Sequence, residues 1–184
     1  MHAFRIALAA FFVAAVAAMP VDAATPAATG ETSGPHDFDF EIGTWRVHHR
    51  IKRADGTWLE IDGVCTDRSL MQGAGNVEEH RFDKPDGVTY GVAMRAYDPK
   101  TALWAGWWID SRAPHGALDP PVKGRFEHGV GTFYSDGVVD GKPTRTRFIW
   151  SRITRESAHW EQAYSSDDGR TWDTNWIMEF RRES

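Results

Sequence analysis

The chain has 184 residues, with 26 acidic against 21 basic side chains and a formal charge of −5. That balance disfavours nucleic acid and anionic membrane as partners, because both need a basic footprint. With a single cysteine, Cys65, no internal disulfide framework can form, so stability must come from packing, to which nine tryptophans contribute.

The chain opens on Met1-His2-Ala3-Phe4-Arg5, a short basic start, then an apolar run from Ile6 to Ala18 and the small-x-small stretch Val21-Asp22-Ala23. These are the three regions of a secretory signal, and the run is too short to span a bilayer comfortably. Residues 1–23 are therefore expected to be removed. No cysteine follows the cut to carry a lipid, so the product is expected to be soluble, without a membrane anchor, and periplasmic or extracellular. Residues 24–35, rich in Ala, Thr, Gly and Pro, predict a flexible leader, and residues 36–184 one domain large enough to bury a core.

From Thr44 onward, short runs of β-branched and aromatic residues alternate with Gly, Asp, Asn and Pro clusters. They predict about ten antiparallel strands, near 44–53, 57–66, 76–82, 88–97, 102–110, 122–127, 130–135, 144–152, 157–164 and 172–181. Ala54-Asp55-Gly56, Pro85-Asp86-Gly87, Asp98-Pro99-Lys100 and Asp140-Gly141-Lys142 offer hairpin turns between them. A meander of this kind closes into a barrel or packs as a sandwich, which protects its edges. Alternation assigns Trp45, Val47, His49 and Ile51 to the buried face of the first strand, and Tyr90, Val92 and Met94 to that of the fourth. The ninth strand buries Ala158, Trp160, Gln162 and Tyr164, and the last Trp172, Thr174, Trp176, Met178 and Phe180. The strand carrying Trp104, Trp107 and Trp108 is apolar on both faces, which predicts cover by a loop or by a second copy in a homo-oligomer.

Gly43-Thr44-Trp45 follows a short, 3₁₀-like turn at Asp37–Ile42 and opens the first strand. With Trp160-Glu161-Gln162 and Asn175-Trp176, it resembles a group of uncharacterised bacterial secreted proteins of the lipocalin-like (calycin) barrel type. The resemblance implies an all-β fold, a single antiparallel meander β-barrel with a cup-shaped interior, in which Trp45 plugs the closed end. The lipocalin disulfide is missing, and the arginine of the third lipocalin motif has only Arg181 or Arg182 to fill its place.

Ser165-Ser166-Asp167-Asp168-Gly169-Arg170-Thr171-Trp172 has the S-x-D-x-G-x-T-W spacing of an Asp-box hairpin. One copy specifies a turn and not glycosidase chemistry. His48 and His49 are adjacent on a strand and so point to opposite faces. His49 is the candidate pocket histidine, and with His159 the strand candidate for haem. Glu78 and His80 share a face, but no third donor stands at ligand spacing, so no metal or other cofactor is expected. Asp110, Arg112 and His115 form a candidate acid-base group at the barrel mouth, Arg125 and Glu161 a candidate cross-strand pair, and no serine or cysteine stands in a nucleophile context. The function expected is binding of a small apolar or aromatic molecule by His49, Tyr90, Trp107, Trp160, Gln162 and Trp176. The alternative is a cofactor-independent enzyme of isomerase, lyase or hydrolase type using the His, Asp and Arg groups at the cup or mouth.

Overall fold

Alternating apolar residues and tight turns leave each strand one partner on either side, and in the computed structural model, which describes residues 33–183, the pairing runs full circle. The strands are β1 (Gly43–Lys52), β2 (Trp58–Leu70), β3 (Gly75–Lys84), β4 (Gly87–Asp98), β5 (Leu103–Asp110), β6 (Val122–Glu127), β7 (Val130–Val139), β8 (Lys142–Ser151), β9 (Ser157–Ser165) and β10 (Asp173–Arg182). Each pairs antiparallel with its successor, and β1 closes on β10 from Trp45↔Arg182 to Ile51↔Trp176. The expected all-β meander barrel is thus the fold. The expected signal segment lies outside the described residues, as does most of the expected leader. Asp140 and Gly141 both adopt positive φ, 50° and 76°, the backbone a two-residue turn with the twist of its strands requires.

The closed end is filled with aromatic rings. Phe38, just ahead of the 3₁₀ turn Asp39–Glu41, enters the barrel base and meets Trp104 and Phe126 edge-on at centroid distances of 4.9 and 5.0 Å. Trp45 is fully buried beside it, its indole N–H donating to the Glu41 carbonyl at 2.6 Å. Arg182 stacks on the Trp45 ring at 4.1 Å and donates to the carbonyls of Ile42 and Phe40 at 2.9 and 2.6 Å, so of the two expected arginines it is Arg182 that seals the base. Burying a ring such as Phe38 contributes about 2 kcal/mol, which is why this lead-in turn is ordered against the barrel. Ser33 and Gly34, at the end of the expected leader, are tied down too: their carbonyls accept the Tyr97 hydroxyl and the Trp104 indole N–H, each at 3.1 Å.

Three expectations about faces and partners change. On β4 the inward residues are Thr89, Ala93 and Arg95, while Tyr90 and Met94 face out, each 46% exposed. The cause is crowding: Gly91 lies under Trp108, and a Cβ there would meet the indole at 2.0 Å, so this strand presents small or polar residues inward. On β10 the ladder slips between Thr174 and Trp176, leaving Asn175 as a bulge. One extra residue inverts the alternation, so Trp176, Met178 and Phe180 stay inside while Trp172 packs with Tyr134 and Arg147 outside. Arg125 and Glu161 do not pair, because β6 and β9 are separated by β7 and β8; Glu161 lies by Arg147 at 3.7 Å and Arg125 by Glu127 at 3.9 Å.

The wall is thinnest between β5 and β6, which share only Trp104↔Gly124, Ala105↔Lys123 and Gly106↔Val122. Beyond Gly106 the loop 111–121 bridges to β7, where the Ser135 hydroxyl donates to the Pro120 carbonyl at 3.1 Å.

Candidate functional site

Above the aromatic base the barrel encloses a cavity of about 760 Å³, opening towards the β1–β2, β3–β4 and β7–β8 turns and the loop 111–121. Phe82, Trp108, Trp160 and Trp176 make its walls, with Gln162 and Tyr164 as polar interruptions. Lys84, Asp86, Asp110 and Arg112 rim it, and Arg95, Glu78 and His80 form its polar floor.

The floor is built by cross-strand register. Asn76 and Arg95 are opposite on β3 and β4, Glu78 faces Ala93, and Cys65 on β2 is opposite His80. The Arg95 guanidinium donates to Glu41 at 2.7 Å, to Asp67 and Asn76 at 3.4 Å each, and to Glu78. Its plane lies 4.7 Å from the Phe38 ring centre, so the one strong cation of the floor rests on the aromatic plug. Three carboxylates around one guanidinium are not equivalent. Burial pushes Glu41 well up despite Arg95, and raises Asp67 to about 7. Burial acts the same way on Glu78, but Arg95 and His80 outweigh it and hold that carboxyl well below its usual range. Glu78 is therefore the ionised member, paired on one oxygen with Arg95 and on the other with His80. The same three acids outweigh burial at Arg95 and raise its pKa.

The residues singled out by sequence are dispersed over the barrel. His49 is fully buried on the inner face but sits behind Phe82 and Trp176, with ring centroids 4.8 and 6.0 Å away. Burial, helped by His80, lowers its pKa to about 3, so it stays neutral, and its Nε2 has no hydrogen-bond partner. Trp160, Gln162 and Trp176 border the cavity from the inner face; Trp107 borders it too, but shares the outer face with its cross-strand partner Met94, and Tyr90 is on the outer wall. Asp110 and Arg112 line the mouth as a two-pronged pair, at 2.9 and 2.5 Å, that draws Asp110 down, while His115 is exposed in the loop. His159 faces outward, bound to Glu179 at 2.8 Å. Neither histidine considered for haem lines the cavity.

Sequence reasoning missed Arg95, Glu41, Asp67 and the donor that joins Glu78 and His80. That donor is Cys65, whose thiol donates to Glu78 at 3.1 Å and is held well above its ordinary pKa by burial, then by Glu78 and Glu41. Spacing along one strand cannot reveal it, since the contact is made across the β2–β3 ladder.

The Asp-box hairpin sits at the open end. The Asp167 carboxylate accepts the Thr171 amide at 2.9 Å and the Ser165 and Thr171 hydroxyls at 2.7 Å each. These bonds lower it to about 2, the Thr171 amide first.

No family model and no curated protein matches the chain. Among solved structures it is similar to the S-type phycobiliprotein lyase CPES of Guillardia theta, with a TM-score of 0.59 and 9% identity over 83% of this chain and 94% of that one. At that identity the likeness shows the fold, a lipocalin-like barrel, and nothing finer.

Proposed function

We propose that the protein is exported and binds a small, largely apolar or aromatic molecule inside the barrel, with its polar end towards Glu78, His80 and Arg95. The cavity carries this reading. At about 760 Å³ it falls within the roughly 300–1,000 Å³ of small-molecule sites, and it combines aromatic walls with a few convergent polar groups. The likeness to a phycobiliprotein lyase agrees with a barrel that handles a small molecule. The second reading, an enzyme, is favoured by the Glu78–His80 pair, an acid and a base held together at the cavity floor.

Titration with fatty acids, flavins, tetrapyrroles and aromatic acids, read by tryptophan fluorescence, tests the binding. Trp108, Trp160 and Trp176 line the cavity, so an occupant changes their emission. Ala93→Trp, which fills the space from β4, abolishes the change. Silence across the panel, or an equal response from the filled variant, overturns the reading.

A further inference from the structure

Glu78 Oε1 is approached by two other donor atoms, the Cys65 Sγ at 3.1 Å and the His80 Nε2. One ligand atom from each of the three residues lies within 4.8 Å of the others, and all three side chains are buried. A tetrahedral ion with bonds of about 2.0–2.3 Å to sulfur, nitrogen and oxygen sets its ligand atoms roughly 3.3–3.7 Å apart. The triad needs only small adjustments to reach that spacing.

We propose that Cys65, Glu78 and His80 form a site for a zinc-like divalent cation at the floor of the cavity. The donor set is chemically specific: thiolate and imidazole favour zinc over magnesium or calcium, and the carboxylate completes three protein ligands. Charge supports it as well. A divalent ion with one thiolate, one carboxylate and a neutral imidazole sums to zero, and the Arg95 cation beside it then takes its counter-charge from Asp67 or Glu41, both of which it already contacts. On ligation the Cys65 thiol releases its proton to solvent. His80 Nδ1 has no hydrogen-bond partner and is free to carry the ring proton while Nε2 ligates. Arg95 holds the other oxygen of Glu78 and so orients the ligand from outside the coordination sphere. The neighbouring group of acids, Glu41, Asp67 and Glu78, is no rival site, because Arg95 already occupies it as the cation. Glu78 and His80 both line the cavity, so the fourth position faces that space, the arrangement of a zinc site that keeps one place open. The inference is independent of what the cavity holds, since the ion can bind with the cavity empty.

The test is cobalt(II) titration of the whole reduced, chelator-stripped protein, followed by competition with zinc. The expected result is one cobalt per chain, a thiolate-to-cobalt charge-transfer band, the strong visible bands of a four-coordinate ion, and their loss when zinc is added. Cys65→Ser removes the charge-transfer band. His80→Asn weakens cobalt binding beyond the roughly 10–100-fold that loss of a supporting partner costs. Cooperative thermal unfolding of both variants in chelator shows that they are folded, and a stoichiometric zinc-induced rise in wild-type Tm reads the same site without mutation. A folded wild type with neither the cobalt bands nor the Tm rise overturns the proposal. So does a Cys65→Ser variant that keeps the thiolate band.

Discussion

Replacing Arg95 by methionine keeps the bulk of the side chain and removes the one guanidinium that Glu41, Asp67 and Glu78 share. Glu78 is then left ionised in the interior with His80 alone, and the stacking on Phe38 at 4.7 Å is lost with the charge. Breaking a buried pair in this way costs about 3–5 kcal/mol, because the abandoned charge stays desolvated. The penalty depends on pH with a definite sign. Without Arg95 the folded-state pKa values of all three carboxyls move up. An acid raised above its unfolded value is stabilising at low pH, and that stability is lost as pH rises towards the folded pKa. The variant should therefore lie closest to wild type near about pH 4.5 and furthest from it above about pH 7. Urea unfolding followed by tryptophan fluorescence at both pH values measures this, with m unchanged if the barrel is intact. The reasoning fails if Arg95→Met loses less than about 1 kcal/mol, or loses the same amount at both pH values. A paired control sharpens it: Glu41→Gln should be nearly neutral, since burial already favours the uncharged acid, whereas Glu78→Gln should be costly.

His49, neutral down to about pH 3 when folded, binds a proton near 6.5 once unfolded. Its contribution is present above that value and is lost on acidification, by up to about 1.4 kcal/mol per pH unit. His49→Leu should flatten that acid limb in urea midpoints measured in chelator; an unchanged slope would rule this account out. Phe38→Ala should cost about 3–5 kcal/mol, because its ring fills the base between Trp104 and Phe126. Near-ultraviolet circular dichroism should show the aromatic signal of the base weakened, and a loss below about 1 kcal/mol would mean the plug is not packed. Gly91→Ala places a Cβ 2.0 Å from the Trp108 indole, so it should lower Tm and shift cavity fluorescence together. An Asp167→Ala change should speed hydrogen exchange in the 165–172 hairpin alone, leaving the floor protected.

The barrel was readable because turns and alternation are local. The ten strands fall within a few residues of where Gly, Asp and Pro punctuate the chain, β2 and β7 being the main extensions, to Leu70 and Val139. The floor was not, for reasons that can be traced residue by residue. Asp67 lies just past the predicted end of the second strand, which in fact runs on to Leu70. Arg95 alternates with Tyr90 and Met94, whose apolar character argued for the wrong face until Trp108 took the space over Gly91. Glu41 belongs to a turn with no periodicity to read, and Cys65 meets Glu78 and His80 only across a ladder. Trp172 shows the opposite failure: its alternation was correct along the strand, and a single bulged residue, Asn175, inverted it.

The seam between the first and last strands has a consequence for how the chain folds. Its ladder joins residues 45–51 to 176–182, so the contact that closes the barrel spans nearly the whole domain. Such long-range pairing is slow to nucleate, and loop closure must precede its reward. Until Asp173–Arg182 arrives, β1 and β9 both present open edges, Trp45 lacks its Arg182 cap, and no interior exists to be filled. The domain therefore has no stable half. A chain that emerges N-terminus first stays unfolded until Asp173–Arg182 is free to pair, and cavity and floor then form in one step.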